Sequence, residues 1–98
     1  MNTSDAPGGP SGQPTVTVRY WAAARAAAGR DSDDVVAGTV ADALGAVRAL
    51  HPESARFHDV VGICSVLVGS TPVGTRDPAS ISLRPGDVVE LLPPFAGG

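Results

Sequence analysis

The sequence closes on Ala96, Gly97 and Gly98, one residue after the stop residues Pro93 and Pro94. None of these side chains is reactive, so the group that could do chemistry is the main-chain carboxylate of Gly98. Glycine lacks Cβ and fits where backbone must pass close to other atoms. Gly97 and Ala96 could therefore thread a narrow channel and present the terminal carbonyl carbon to a second protein. A pair of glycines is also what a frayed end looks like; the pattern gains weight only when a folded body ends immediately before it.

The remaining reactive side chains form no recognisable constellation. Cys64 is the sole cysteine, which excludes an internal disulfide and any cysteine-pair redox motif. It lies in an apolar run and reads as ordinary packing in a strand, because catalytic use needs a base and an activating environment. His51 beside Pro52 reads as a helix-end residue and His58 as a loop residue. Together with Asp59 and Cys64 they lack metal-ligand spacing, so no metal site is expected. Gly8-Gly9 and the later glycines lack the Lys and Ser or Thr of a phosphate loop. Arg25 reads either as a partner contact or as part of a solvated helix face. All seven cationic side chains are Arg and none is Lys. The chain therefore cannot receive an isopeptide on its own side chains or form a lysine Schiff base. It could still donate its C-terminus, with the N-terminal amine as its only self-acceptor.

Ninety-eight residues suit one small domain with a limited core. An apolar content of 43% with 17% charged residues fits a folded globular body rather than a disordered chain. A formal charge of -3 gives no general attraction to nucleic acid, whose binding rests on cationic contacts to phosphate. No stretch is long and apolar enough to cross a bilayer, and residues 1–14, rich in Pro, Gly and Ser, lack the basic start and apolar centre of a secretory signal. A cytoplasmic protein is the expectation, with a disordered leader over 1–14, a folded body over 15–94 and a reactive tail over 95–98.

The body must position that tail. Val16, Val18 and Tyr20 alternate with Thr17, Arg19 and Trp21, which predicts a first strand. Ala22 to Ala28 favours a short helix stopped by Gly29, and Asp31 to Val36 can return as a short exposed strand. Thr39-Val40-Ala41-Asp42 resembles a capping box, with Asp42 in place of the usual Glu. Val40, Ala43, Leu44, Val47 and Leu50 then form the apolar stripe of the main helix, with Arg48 outside it and Pro52 ending it. Val60 to Val68 supplies strand material, Gly69-Ser70 a turn, Val73 a short return, and Ile81-Ser82-Leu83 a short strand or turn. Arg84-Pro85-Gly86-Asp87 is a turn signal before the last strand, Val88 to Leu92. This order fits a mixed sheet on one main helix. A parallel pairing of first and last strands would put the last strand at the centre.

Three segments together carry a family resemblance: Tyr20 to Gly29, Thr39 to Asp42, and Leu83 to Gly98. In combination they resemble the small sulfur-carrier subunit of molybdopterin synthase, over about residues 16–98. The resemblance implies an α+β, ubiquitin-like β-grasp fold with a flexible Gly-Gly tail. It implies that Gly98 is adenylated by an ATP-dependent activating enzyme and converted, by a sulfur donor system, to a thiocarboxylate. The carrier would then insert into the large synthase subunit, which would hold the catalytic side chains, and donate sulfur to molybdopterin. Gly97 and Ala96 would give access, and Phe95, where the family usually has a small aliphatic residue, would contact the partner. No cofactor is bound stably on this reading: ATP belongs to the activating enzyme, and sulfur is covalent cargo. A related carrier for thiamine or cysteine biosynthesis uses the same tail chemistry, and a noncatalytic β-grasp binding module is the third reading. Trp21, where Phe is common, Ala26, where an acidic residue is frequent, and Val68, where Asn is common, depart from the pattern.

Overall fold

A computed structural model describes residues 13–94. Five strands form one mixed sheet. They are β1 (Thr15–Tyr20), β2 (Ser32–Val36), β3 (Ser65–Val68), β4 (Thr71–Pro72) and β5 (Val88–Leu92), in the spatial order β2-β1-β5-β3-β4. The last strand in sequence is thus the central one. It runs parallel to β1, with Val18 opposite Val89 and Tyr20 opposite Leu91, and antiparallel to β3, with Val66 opposite Leu91. β2 forms an antiparallel edge on β1, and Pro14 is tied to that edge by accepting from the Ala37 amide at 2.9 Å.

Alternation along the strands decides which face is buried. Val16, Val18 and Tyr20 of β1 and Val89 and Leu91 of β5 point inward, all 2% exposed or less. They pack under the main helix α2 (Val40–Leu50), which buries Val40, Ala43 and Val47. Leu50, the last residue of the stripe, is exposed. Thr39 starts this helix as expected, its hydroxyl accepting from the Asp42 amide at 3.1 Å.

Two shorter helices, α1 (Ala22–Ala28) and α3 (Ala55–Ile63), pack against each other, and α3 also touches α2. Gly29 closes α1 at φ 75° with its amide bonded to the Arg25 carbonyl, a left-handed conformation that suits a residue without Cβ. Trp21 is the residue before α1 rather than the end of the first strand. The larger correction is α3. The Val60–Val68 run is not one strand, since helix continues to Ile63 and strand begins only at Ser65. Ser54 caps this helix by accepting from the Phe57 amide at 3.1 Å, and Phe57 and Val61, four residues apart, bury the same face. His58 accordingly lies in a helix rather than a loop, and Cys64 is the half-buried residue that ends it. Ser82 makes one bridge to Thr39, and Leu83 is buried. The turn before β5 forms as the sequence indicates, with the Asp87 amide bonded to the Arg84 carbonyl at 3.0 Å.

Candidate functional site

Because β1 and β5 are parallel, their C-terminal ends meet at one edge of the body, and the chain leaves from there. Leu92 ends β5, Pro93 is buried and Pro94 is exposed. Proline fixes φ and cannot extend the ladder, so the departure point is stiff. Gly98, Gly97, Ala96 and Phe95, the residues expected to carry and present the reactive carboxylate, lie outside the described residues.

The structure gathers a set of side chains around that exit. The Trp21 amide donates to the Leu91 carbonyl at 3.2 Å, holding Trp21 level with the end of β5. Its indole Nε1 donates to Glu90 Oε1 at 2.6 Å, and the Arg19 guanidinium lies 5.0 Å from the ring centroid. Trp21, Leu67 and Leu92 line a shallow apolar groove on the outer face of the sheet. Ala22 follows at φ 48°, a left-handed angle uncommon for a residue with Cβ. Arg25, the one expected contact residue within the described region, sits on the exposed side of α1. It makes a 3.6 Å ion pair with Asp31, both side chains being largely exposed. Arg19, Trp21, Arg25 and Asp31 share a small cleft beside the strand ends.

Behind this edge the core contains a polar knot that the sequence did not reveal. Asp33, on β2, is 6% exposed yet charged. Its carboxylate accepts from Tyr20 Oη at 2.7 Å, from Arg30 at 2.8 Å and from His51 Nε2 at 2.9 Å. Burial pushes this carboxyl upward, but the hydrogen bonds from His51 and Tyr20 and the charge of Arg30 outweigh it, leaving Asp33 below its ordinary value. Burial, and then the bond to Asp33, push the Tyr20 phenol up. His58 Nε2 donates to the His51 carbonyl at 2.9 Å, and Phe57 packs on the His51 ring at 4.3 Å between centroids. The two histidines therefore serve the α2–α3 junction. No cluster of three or more His, Cys, Asp or Glu suited to a metal occurs among the described residues. Cys64, pushed up to about 11 by burial, is a protonated thiol at neutral pH.

What this edge can do chemically is limited to presentation. It offers a stiff exit, an apolar groove and paired charges, while the Asp33 carboxylate behind it is buried and already bonded through both oxygens. Among the described residues no helix is long and apolar enough to cross a membrane.

The sequence model of the ThiS family matches residues 18–98. No curated protein matches the sequence. Among solved structures, the chain is similar to small archaeal modifier protein 1 from Methanosarcina acetivorans, with TM-score 0.73 and 21% identity over 87% of this chain and 97% of that one. It is similar to the HVO 2177 protein of Haloferax volcanii, with TM-score 0.67 and 26% identity over 87% of each chain. A third likeness is to the complex of subunits 1 and 2 of the molybdopterin-converting factor from Helicobacter pylori, with TM-score 0.59 and 24% identity over 86% of this chain and 99% of that one.

Proposed function

The chain belongs to the ThiS family, and from that premise we propose that it is a sulfur carrier working through the carboxylate of Gly98. The carboxylate oxygen attacks the α-phosphate of ATP on an activating enzyme, and pyrophosphate leaves. Sulfide-level sulfur (HS−) from the donor system then bonds to the acyl carbon and displaces AMP, and the resulting thiocarboxylate gives up its sulfur to an acceptor as water restores the Gly98 carboxylate. Adenylation is needed because a free carboxylate has no competent leaving group. The catalytic side chains reside on the partners, in keeping with an exit edge that holds none.

The single observation that supports this reading is positional. The central strand β5 ends at Leu92, and only the two prolines, Phe95, Ala96 and Gly97 separate it from Gly98. The carboxylate is thus tethered closely to a rigid body that a partner can grip.

Two acceptors are proposed. The ThiS match over residues 18–98 favours a carrier of the wider family, serving thiamine or cysteine biosynthesis. The motif resemblance of Tyr20 to Gly29 and Leu83 to Gly98, with the likeness to a molybdopterin-converting factor complex, supports the narrower role. In that role the chain is the small subunit of molybdopterin synthase, paired with a large subunit.

Intact-mass analysis after incubation with ATP, the activating enzyme and a sulfur donor tests the proposal. The expected result is a gain equal to one sulfur replacing one oxygen, localised to Gly98 and abolished by deletion of that residue. Sulfur carriage by the Gly98-deleted chain, or an unchanged terminus with a competent enzyme bound, would overturn it. Supplying the sulfur-loaded chain to each acceptor system separates the two pathways.

A further inference from the structure

The two edges of the sheet are finished differently. β4 closes one of them with only Thr71 and Pro72, and a proline has no N–H to offer a further strand. β2 forms the other with Ser32–Val36, which contains no proline and keeps an unbroken register against β1. Sheets ordinarily shorten, kink or cover such an edge, because its free backbone groups can pair with another chain.

The parity of the ladder identifies the free groups. The Tyr20 amide donates to the Asp31 carbonyl, and the Ala37 amide donates to the Pro14 carbonyl. Bonded pairs alternate along an antiparallel ladder, so Asp31, Asp33, Val35 and Ala37 turn their backbone groups toward β1. Ser32, Asp34 and Val36 turn theirs outward, and among the described residues no strand pairs with them. Side chains follow the same alternation. Asp33 and Val35 are buried, whereas Asp34 and Val36 stand exposed on the outer face, Val36 at 46%. Asp33 is paired with Arg30, but Asp34 has only the Thr17 hydroxyl, at 2.7 Å, and no cation among the described residues.

That carboxylate discriminates between occupants. Antiparallel pairing with a second copy, centred on Asp34, would use every free group of the edge but set two Asp34 carboxylates directly opposite each other, and like charges there are destabilising. A strand with a cation at that place gains an opposite-charge pair instead, and an apolar residue two places along covers Val36.

We propose that the β2 edge is an interaction surface that takes an extended cationic segment of a partner protein as an added antiparallel strand, with Lys or Arg opposite Asp34. Main-chain hydrogen bonds supply the affinity, and Asp34 and Val36 select the sequence. β1 separates this edge from β5 and β3, which carry Leu92 and Leu67 of the groove, so the two surfaces use different strands. Pairing at β2 is independent of any chemistry at Gly98.

The probe is the peptide acetyl-Val-Thr-Lys-Thr-Thr-amide, which in antiparallel register sets Val opposite Val36 and Lys opposite Asp34. It is titrated to millimolar concentration into the full isotope-labelled chain and followed by amide chemical shifts and hydrogen exchange. Shifts centred on Ser32, Asp34 and Val36 are expected, with exchange at those amides slowed by about fivefold or more at saturation. Methylating the backbone nitrogen of the peptide's lysine removes a ladder donor and should abolish the shifts. Asp34→Lys should weaken binding by about fivefold or more and favour the same peptide with Glu in place of Lys, because the cross-strand pair changes sign. If Asp34→Lys lowers Tm, the methylated and Glu peptides on the wild-type chain carry the test. No shift at β2, equal binding of the Lys and Glu peptides by wild type, shifts confined to the Trp21 groove, or self-association that protects the same amides without peptide would each overturn the proposal.

Discussion

Tyr20 and Trp21 are neighbours in the chain, and each donates a hydrogen bond to a carboxylate distant in sequence. Tyr20 reaches Asp33 at 2.7 Å inside the core, whereas Trp21 reaches Glu90 at 2.6 Å on the surface. Geometry alone does not distinguish the two pairs; burial does, with Tyr20 at 2% exposure and Trp21 at 41%. In the core, an unpaired carboxylate or phenol has no water to turn to, so loss of one partner leaves a full desolvation cost. At the surface, water replaces whichever partner is removed. The inner pair is therefore expected to govern stability. The outer pair, beside the groove and the exit, is available for recognition at little cost to the fold.

The largest effect that would sharpen this contrast is loss of the buried carboxylate. Asp33→Ala strips Tyr20, Arg30 and His51 of a shared acceptor and should destabilise the domain by roughly 3 kcal/mol. Thermal unfolding should show a fall in Tm of more than about 10 °C for a domain of this size. A loss below about 1 kcal/mol would mean that the knot carries no more weight than a surface pair.

A second, smaller effect is in the acid limb of stability. Asp33 titrates below its ordinary value when folded, so its contribution is complete above about pH 4, the unfolded carboxylate value. It is lost as pH falls further, through the depressed folded value. Asp33→Asn should flatten this part of the pH–stability curve in urea titrations. Parallel curves for wild type and Asp33→Asn would remove Asp33 from the acid transition.

The smallest expected effect on the fold comes from the outer pair. Glu90→Gln keeps an acceptor for the indole and should shift stability by less than about 1 kcal/mol. Trp21→Ala removes a wall of the groove, and should weaken capture by the activating enzyme more than it lowers Tm. Measuring both for the same protein decides whether this face is a recognition surface; a large Tm loss with unchanged capture would reverse the assignment.

Much of the frame was legible because it depends on local chemistry. Alternation fixed β1, the Thr39 hydroxyl and the apolar spacing marked α2, and glycines at left-handed angles marked the stops at Gly29 and Gly86. The helix α3 was misread because Val60 to Val68 is rich in β-branched residues, which suit a strand. The contrary signal was present in Ser54 as a cap, with Phe57 and Val61 four residues apart, but it was weaker than the apolar run. Arg25 could be placed on a helix by sequence, though not at the exit edge beside Asp31.

By itself, then, the sequence determined the repeating elements, the lysine-free set of cations and the Gly-Gly end, since each is a property of neighbouring residues or of composition. Only the tertiary structure decided that β5 is central and parallel to β1, that the exit lies beside Arg19 and Arg25, and that Asp33 meets Tyr20 and His51. Those meetings join residues separated by 13, 18 or more positions. Local preference carries no information over such distances. They are settled by closing the sheet and burying its inner face, where a charged group persists only if several partners arrive together.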